Sequence, residues 1–465
     1  MLQCIRCNTE YPVYPFKSDC DKCGGTLEYK ADLPKDGKIE SSRQQGFWKY
    51  RPMLPPVKHM VSLGEGATPL HKAERLANAL GSKQLYLKDE TRNPTNSYRD
   101  RAAALLTSNA LDNNFEALIC ASNGNMGASL AAYSAKANLI CHVLVPKIVD
   151  VGKLAQMLAY DAVIEEFGDI VDDSIRKAQT IAKETGWYQA TAELNPLVVE
   201  AQKTISYEIH EQIGVPDYVL VSMGSGGTIH SIWKGFKELK QMGLTKTLPK
   251  MVGIQPEGCA PIVKALNASE SEPEKTCNLS TRALAILVGD PLQTEMAKNA
   301  ITESNGLAIT VTDPEILTAE LQIAKLEGVF AEPASSATTA ALKKLVEAGT
   351  ISGDSSVVCL ITGSGLKATD VLQALTKKQK TAGLGLEIST KEKILRILND
   401  GDTYGYELWK QLGKIMTRAA VYQHLNELSE KGLISGYEEK GKKFFRITEN
   451  GKKALAAFDD LKFLM

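Results

Sequence analysis

The feature that most constrains this sequence is a series of short apolar runs that alternate with helical patterns between residues 116 and 375. Short β-rich runs separated by helices are typical of a parallel sheet with crossover helices. Polar residues and glycines follow several of the runs, at the position where open α/β sheets bind ligands. The sequence therefore predicts an α/β body whose strands are Ala117 to Cys120, Ile140 to Val145, Ala162 to Glu165, Tyr218 to Ser222, Met251 to Gln255 and Val357 to Thr362.

A polar segment from Lys88 to Arg101 lies ahead of this series. It follows a strand-like run at Gln84 to Leu87, turns at Asn93-Pro94-Thr95 and leads into an alanine-rich helical run from Ala102 to Ala110. A strand, a polar turn and a helix start in direct succession indicate a ligand-binding shelf.

Within this segment, Asn-Pro-Thr-Asn-Ser-Tyr-Arg-Asp-Arg resembles the Asn-Pro-Thr-Gly-Ser-Phe-Lys-Asp-Arg signature of threonine synthases and, more broadly, of fold-type II pyridoxal phosphate (PLP) enzymes. The resemblance spans roughly residues 1 to 375. It implies a tryptophan synthase beta-like fold for residues 31–376, PLP as cofactor, and conversion of O-phosphohomoserine to threonine and phosphate. Arg99 stands where this family keeps its Schiff-base lysine.

The chemistry of a Schiff base opposes a catalytic role for Arg99. The reaction needs an amine that can lose a proton and attack the cofactor aldehyde. The pKa of lysine, about 10.4, can be depressed into range, whereas that of arginine stays above about 12. We therefore predict that Arg99 is non-catalytic, and the alternative interpretation is an ordinary surface cation on a helix.

Three further motifs carry the resemblance to a PLP site. Ala121 to Gly127 resembles the family loop in which Asn125 would meet the PLP hydroxyl, and a polar helix-start loop without a ligand is the alternative. The glycines after the run at Tyr218 let backbone N–H groups converge on a phosphate at a helix start, which indicates Gly224, Ser225, Gly226, Gly227 and Thr228. By resemblance, Thr362, with Ser364 as second choice, would meet the pyridine nitrogen.

Other family blocks are present in altered form. Ser62 to Leu70 and Asn195 to Thr204 resemble threonine synthase motifs. Thr68 and Lys203 belong to them and are predicted, with Ser122 and Asn123, as substrate or ligand contacts. Asn96 and Ala201 each replace a glycine of the family motifs. Val198 and Leu287 stand at two positions where the family has arginine. Two cations that could bind an anionic substrate are therefore missing.

Two Cys-x-x-Cys knuckles open the chain. Cys4, Cys7, Cys20 and Cys23 could supply four thiolates on two tight turns, which fits tetrahedral zinc. Residues 1–30 are a small segment with little apolar content, so the segment needs a bound metal ion to fold. We predict a structural zinc ribbon, and unliganded thiols are the alternative.

The last part of the chain has the sequence pattern of a separate domain. A basic, glycine-containing linker is predicted at 377–388, and the periodicity then restarts in the order of an α+β winged helix at 389–465. The sequence around Tyr404 and Ala420 resembles that of PadR-like regulators. This resemblance implies DNA as partner and a homodimer. Val421, Leu425 and Leu428 form an inward stripe. The predicted DNA contacts are Arg418, Tyr422 and Gln423 on the third helix and Lys440, Lys442, Lys443 and Arg446 in the wing. A protein-interaction winged helix is the alternative.

Composition sets the outer limits. A chain of 465 residues is expected to hold two or three domains, and its formal net charge of -1 gives no global attraction to nucleic acid or membrane. The start of the chain lacks a basic region followed by an apolar core, and no run approaches the roughly 18 apolar residues of a membrane helix. We therefore expect a cytoplasmic protein.

Two functions remain open at this stage. The first is a threonine-synthase-like body without catalysis that binds a metabolite and acts with the winged helix as a DNA-binding transcriptional regulator. The second is an active threonine synthase with an accessory winged helix. We favour the first because Arg99, Asn96, Val198 and Leu287 all fall within recognisable site motifs. Non-covalent binding of PLP is a further alternative, since the phosphate loop does not depend on the lysine.

Overall fold

A computed structural model describes residues 1–13, 17, 19–34, 45–267, 279–368, 390–413, 417–439 and 441–455. The chain separates into two compact units, Met1–Asp370 and Val371–Met465. The linker predicted at 377–388 lies outside the described residues. Each unit has its own apolar core.

The amino-terminal segment forms a small antiparallel sheet. Its strands are β1 (Leu2–Cys4), β2 (Glu10–Tyr11) and β3 (Leu27–Tyr29), in the order β2-β1-β3. Leu2 and Leu27 are buried and belong to the same apolar cluster as Leu105, Leu106 and Leu130 of the body. The knuckle segment therefore packs onto the body of the first unit. A 3-10 helix, Gly46–Met53, then follows.

In the described part of the chain, ten strands build the body of the first unit. In chain order they are β4 (Leu70–Lys72), β5 (Gln84–Asp89), β6 (Ala117–Ala121), β7 (Ile140–Val145), β8 (Val163–Glu166), β9 (Tyr188–Gln189), β10 (Tyr218–Ser222), β11 (Lys250–Pro256), β12 (Leu307–Val311) and β13 (Ser356–Ile361).

These strands form two sheets. The larger has the order β12-β11-β10-β13-β5-β4 and is parallel except for β4, which is antiparallel to β5. The smaller has the order β8-β7-β6-β9 and is parallel throughout. The parallel α/β body predicted from the alternating runs is confirmed.

Helices connect the parallel strands, as crossover connections require. They are α1 (Glu74–Leu80), α2 (Arg99–Asp112), α3 (Asn125–Ala137), α4 (Val151–Ala159), α5 (Val171–Thr185), α6 (Leu197–Gln202), α7 (Thr204–Ile213), α8 (Gly227–Gln241), α9 (Pro261–Asn267), α10 (Thr294–Glu303), α11 (Asp313–Glu327) and α12 (Pro333–Glu347), with 3-10 turns at Glu90–Arg92, Leu284–Ile286 and Gly365–Lys367.

Helix α2 is central to the body. It is buried without a break from Asp100 to Ala110, and its alanines allow neighbouring elements to approach closely. The turn before it is joined to the end of β13, because Tyr98 N–H donates to the Thr362 carbonyl at 3.0 Å and Ser97 pairs with Gly363. The start of α2 is therefore fixed against the carboxyl end of the larger sheet.

The second unit is a winged helix. It comprises α13 (390–400), β14 (Thr403–Tyr404), α14 (Gly405–Gln411), α15 (Arg418–Glu430), β15 (Ile434–Glu439), β16 (Lys442–Ile447) and α16 (449–455). The strands pair antiparallel in the order β14-β16-β15. Val421, Leu425 and Leu428 face the core, which confirms the predicted inward stripe of α15.

Candidate functional site

A cleft opens where the carboxyl ends of strands from both sheets of the first unit meet. Its walls include residues that follow β6 of the smaller sheet and β10 and β13 of the larger one. Open α/β sheets place ligands at this edge. Among the residues predicted from the motifs, the cleft is lined by Arg99, Ser122, Asn123, Asn125, Gly224, Ser225, Gly226, Gly227, Thr228 and Thr362.

Arg99 is the first residue of α2 and is half-buried in the cleft wall. Its guanidinium carbon lies 4.8 Å from the centre of the Tyr98 ring, and the Tyr98 hydroxyl in turn lies 3.0 Å from Thr228 Oγ1. Among the described residues, no carboxylate lies within ion-pairing distance of Arg99, and no other basic side chain lines the cleft. The structure therefore favours a cleft cation over an ordinary surface residue.

The turn before Arg99 shows why Asn96 is tolerated in place of the signature glycine. Asn96 has a φ of 61°, in the left-handed region that glycine adopts freely and asparagine more readily than most residues. Its side-chain amide donates to the Thr91 carbonyl at 3.0 Å. This substitution therefore leaves the path of the backbone intact.

The loop after β6 is held by its own side chains. Ser122 Oγ accepts the N–H groups of Gly124 and Gly127 at 3.0 and 3.1 Å, while the Asn123 amide donates to the Leu284 carbonyl at 2.7 Å. The Asn125 amide donates to both carboxylate oxygens of Glu332 at 2.9 and 3.1 Å. Asn125 Oδ1 is buried without a hydrogen-bond partner, so one acceptor remains available to a ligand.

The glycine loop at the start of α8 has the form expected of an anion cradle. Gly226 has a φ of 98°, and a Cβ there would lie 2.8 Å from the Gln293 carbonyl oxygen, so this position requires glycine. A Cβ on Gly227 would displace the Gln293 side chain. However, Ser225 Oγ donates to Glu193 Oε1 at 3.0 Å. A carboxylate from the cleft wall is therefore bonded to a side chain of the loop in which a phosphate would be expected.

The remaining predicted contacts divide between the cleft and buried networks. Thr362 lines the cleft, and its hydroxyl lies 2.9 Å from Ser335 Oγ. Thr68 is not among the lining residues, and its hydroxyl donates to Glu90 at 2.6 Å. Lys203 is also absent from the lining, because its ammonium is buried between Glu200 and Glu238 at 2.6 and 2.9 Å.

Two buried lysines lie close to the cleft wall without lining it. Lys153 pairs with Asp150 at 2.9 Å and with Glu332 at 3.3 Å. Although burial opposes the charge, these two carboxylates raise the pKa of Lys153 above its ordinary value. Lys367 donates to the Thr95 carbonyl at 2.7 Å, and burial lowers its pKa to about 8. Neither lysine is among the site residues predicted from the sequence, and neither are the two carboxylates of the wall, Glu193 and Glu332.

The four knuckle cysteines come together at the amino terminus. Their Sγ atoms lie within 4.8 Å of one another, and all four are free cysteines. Tetrahedral zinc with Zn–S bonds of about 2.3 Å would separate the sulfurs by about 3.8 Å. The donor set and its spacing therefore fit one zinc ion, and four protein ligands would leave no open position for catalysis.

We predict one zinc per chain, bound by this cluster, in protein prepared without chelator. Replacing Cys20 by serine should remove most of the metal and raise hydrogen exchange over residues 1–30, because a structural site contributes directly to local folding. Metal analysis and mass-detected hydrogen exchange test this, with Cys141→Ser as a control outside the cluster. Equal zinc in the Cys20 and Cys141 variants would contradict the prediction.

The exposed face of the winged helix carries cations that rest on aromatic rings. The Arg418 guanidinium carbon lies 4.8 Å from the ring centres of both Tyr406 and Trp409. Gln423 is exposed and donates to Glu427 at 3.2 Å, and Tyr422 is 45% exposed.

Cations of the wing also stack on aromatic rings. The Lys442 ammonium lies 4.5 Å from the Tyr404 ring centre, and the Arg446 guanidinium carbon lies 4.3 Å from that of Tyr437. Lys443 is exposed, and Lys440 lies outside the described residues. Stacking orders these side chains while they remain exposed, and Arg446 also pairs with Asp402 at 3.2 Å.

Comparison with known proteins agrees with this architecture. The model of the family "Pyridoxal-phosphate dependent enzyme" matches residues 61–363, and that of the "Transcriptional regulator PadR-like family" matches residues 394–457. No helix within the described part of the chain is long and apolar enough to span a membrane.

Curated relatives narrow the family, and a solved structure shares the fold. Threonine synthase of Methanocaldococcus jannaschii is 40% identical over 409 residues, which cover 86% of this chain and 100% of the relative. Threonine synthase of Methanosarcina acetivorans is 41% identical over 373 residues, covering 79% and 92%. Processed threonine deaminase isoform 2 of Solanum lycopersicum shares the fold with a TM-score of 0.55 at 22% identity, covering 66% of this chain and 87% of that one. The chain therefore belongs to the threonine synthase family of pyridoxal-phosphate dependent enzymes and carries a PadR-like winged helix behind that body.

Proposed function

We propose that this protein is a catalytically inactive member of its family that binds a small metabolite and acts through its winged helix as a DNA-binding transcriptional regulator. The observation that carries the proposal is that Arg99 is the only basic side chain among the described residues that line the cleft. A Schiff base with PLP requires a neutral amine, which a guanidinium does not provide near neutral pH.

Neither nearby buried lysine offers an easy substitute. Lys153 is held as an ammonium between Asp150 and Glu332. Lys367, whose pKa is lowered by burial, points its ammonium to the Thr95 carbonyl and does not line the cleft. Both side chains would have to leave buried partners before either could meet a ligand in the cleft.

The cleft fits PLP only in part. Thr362 is available to a pyridine nitrogen, and Asn125 retains one free acceptor. However, the Asn125 amide is already bonded to Glu332, and the Glu193 carboxylate is bonded to Ser225 in the phosphate loop. These contacts oppose covalently held PLP and weaken the case for its non-covalent binding.

The DNA-binding half of the proposal rests on the PadR-like match and on the stacked cations of α15 and the wing. Helix α15 would enter the major groove, and the wing would contact phosphates. Regulators of this architecture commonly act as symmetric dimers, so we propose a homodimer in solution.

Selection of genomic DNA fragments by the full chain tests this function. We expect enrichment of a defined set of fragments and a change in their affinity of roughly five- to 150-fold when the cleft ligand is bound. Arg418→Ala should weaken binding to the selected fragments, whereas Lys442→Ala and Lys443→Ala should weaken binding to all sequences and each flatten the salt dependence by about one charge.

Lys453→Ala supplies the matched control, because Lys453 is an exposed cation of the same unit outside the proposed contacts. Absence of any enriched fragment, or unchanged binding by a chain lacking residues 389–465, would contradict the regulator proposal.

An active threonine synthase is the second candidate. The identity of about 40% to proteins of that name, over nearly the whole of their length, favours it. It requires an amine other than Arg99 to hold PLP, and this requirement makes the two candidates separable by experiment.

A further inference from the structure

The charged side chains that line the cleft include more carboxylates than cations, which is not what a phosphate-binding site requires. Among the described lining residues they are one cation, Arg99, and two carboxylates, Glu193 and Glu332. Lys153 and the Asn125 amide already satisfy Glu332. Arg99 and Glu193 are both half-buried, and neither has an ion-pair partner among the described residues. The cleft therefore presents one unpaired positive and one unpaired negative group to a ligand.

Glu193 is bonded to the loop that would hold a phosphate in this family. The start of an α-helix attracts an anion through its free N–H groups and its dipole. Here the Glu193 carboxylate, bonded to Ser225 Oγ at 3.0 Å, lies beside that helix start as an internal anion. A phosphate dianion placed in the same loop would meet like charge, so the wall disfavours phosphorylated ligands.

The rest of the wall selects for a small apolar group. Val198, Val199, Ala285, Ile286 and Val288 line the cleft. Val198 stands where the family motif commonly has arginine, so this side of the cleft offers packing surface and no counter-charge to a phosphate. A short aliphatic side chain would bury apolar area there at little cost in desolvation.

We propose that the cleft binds a free, unphosphorylated α-amino acid with a short aliphatic side chain. Arg99 takes the carboxylate, Glu193 takes the ammonium, and the unpaired buried Asn125 Oδ1 is placed to accept a further N–H. The inference rests on the proposed function in one respect, because it identifies the chemical class of the metabolite to which the regulator would respond.

Calorimetric titration of the full chain tests this site with probes that separate the two charges. L-valine and L-threonine should bind. Isovalerate, which is valine without its ammonium, and isobutylamine, which is valine without its carboxylate, should each bind roughly tenfold to 100-fold more weakly, as expected for the loss of one charge-assisted contact.

Two variants assign the charges to residues. Arg99→Gln should weaken L-valine while leaving isobutylamine unchanged, and Glu193→Gln should weaken L-valine while leaving isovalerate unchanged, each by roughly tenfold to 100-fold. Glu193→Gln should also strengthen binding of inorganic phosphate and PLP, a gain that simple loss of structure would not produce. Glu184→Gln, an exposed carboxylate of α5 outside the cleft, is the matched control.

The outcomes distinguish this inference from the proposed function. Absence of binding by both amino acids, or equal binding of L-valine and isovalerate, overturns the zwitterion site. If selected DNA responds to PLP and not to either amino acid, the site is overturned while the regulator proposal stands. If the amino acids bind with the predicted charge dependence and DNA affinity does not change, the site stands and the regulator proposal fails.

Discussion

Replacing Arg101 by methionine is expected to lower the free energy of unfolding of the first unit by about 3–5 kcal/mol. Arg101 is fully buried, and its guanidinium donates to Glu90 and Glu208 at 2.6 to 2.9 Å. Methionine fills similar space without charge, so two buried carboxylates would lose their principal partner. Arg101 lies in α2, two residues after Arg99, so this network holds the first turn of the helix in place. We therefore expect substitution of Arg101 to lower stability.

Urea unfolding followed by tryptophan fluorescence measures this effect. Arg92→Met is the control, since Arg92 pairs with Asp89 while its side chain is 62% exposed. A loss below about 1 kcal/mol for Arg101→Met, the size of an exposed pair, would contradict the account of the network. Adding Glu90→Gln to the variant should recover part of the loss, because one unpaired charge is then removed while Glu208 keeps its ion pair with Lys88.

The same network predicts the pH dependence of stability. Although burial opposes it, Arg101 and Lys88 hold the pKa of Glu208 well below its usual range. The contribution of Glu208 is therefore fully present above its unfolded pKa of about 4.3 and is lost only as the pH falls toward its folded pKa. The Arg101→Met variant should lose this profile, so that its stability falls less than that of the wild-type chain as the pH is lowered below about 4, the region of the unfolded carboxylate pKa.

The second large effect concerns catalysis. The purified wild-type chain is expected to release no phosphate from O-phosphohomoserine and to lack the visible absorbance of PLP bound to lysine. Arg99→Lys places an amine at the start of α2, and Arg99→Lys with Glu193→Ser also removes the carboxylate beside Ser225. We expect PLP absorbance to appear weakly in the single variant and more strongly in the double variant.

Turnover should remain low in both variants, because Val198 and Leu287 supply no cation for an anionic substrate. PLP absorbance in the wild-type chain equal to that of the double variant, or phosphate release by the wild-type chain, would contradict the role given to Arg99 and Glu193.

The fold could be predicted where apolar runs were strong and regularly spaced. Strands β7 and β10 begin and end at the predicted residues, and the winged-helix order was predicted from its helical periodicity. Strand β12 was missed because it is an edge strand whose residues Leu307 to Thr310 are only half-buried, so its pattern is weaker. Helix α2 begins earlier than predicted, because the polar residues before the alanine run are helical and buried.

The cleft could be predicted only as far as its loops follow recognisable motifs. Glu193 and Glu332 lie outside those motifs, and only the folded chain brings the Glu193 carboxylate to Ser225 and that of Glu332 to Asn125. Lys203 lies within a motif, yet two carboxylates bury it away from the cleft. A motif thus indicated which segments meet, whereas the direction of each charged side chain depends on partners distant in sequence.

Borohydride reduction of the full chain incubated with PLP, followed by peptide mapping, tests the central claim most directly. Borohydride converts a Schiff base on lysine to a stable pyridoxyl adduct, and the Arg99→Lys, Glu193→Ser variant provides the positive control. We expect that variant to carry the adduct on residue 99 and the wild-type chain to carry none. A stoichiometric pyridoxyl group on Lys153, Lys367 or any other single lysine of the wild-type chain would show that the protein holds PLP covalently without Arg99 and would contradict the inactive-regulator account.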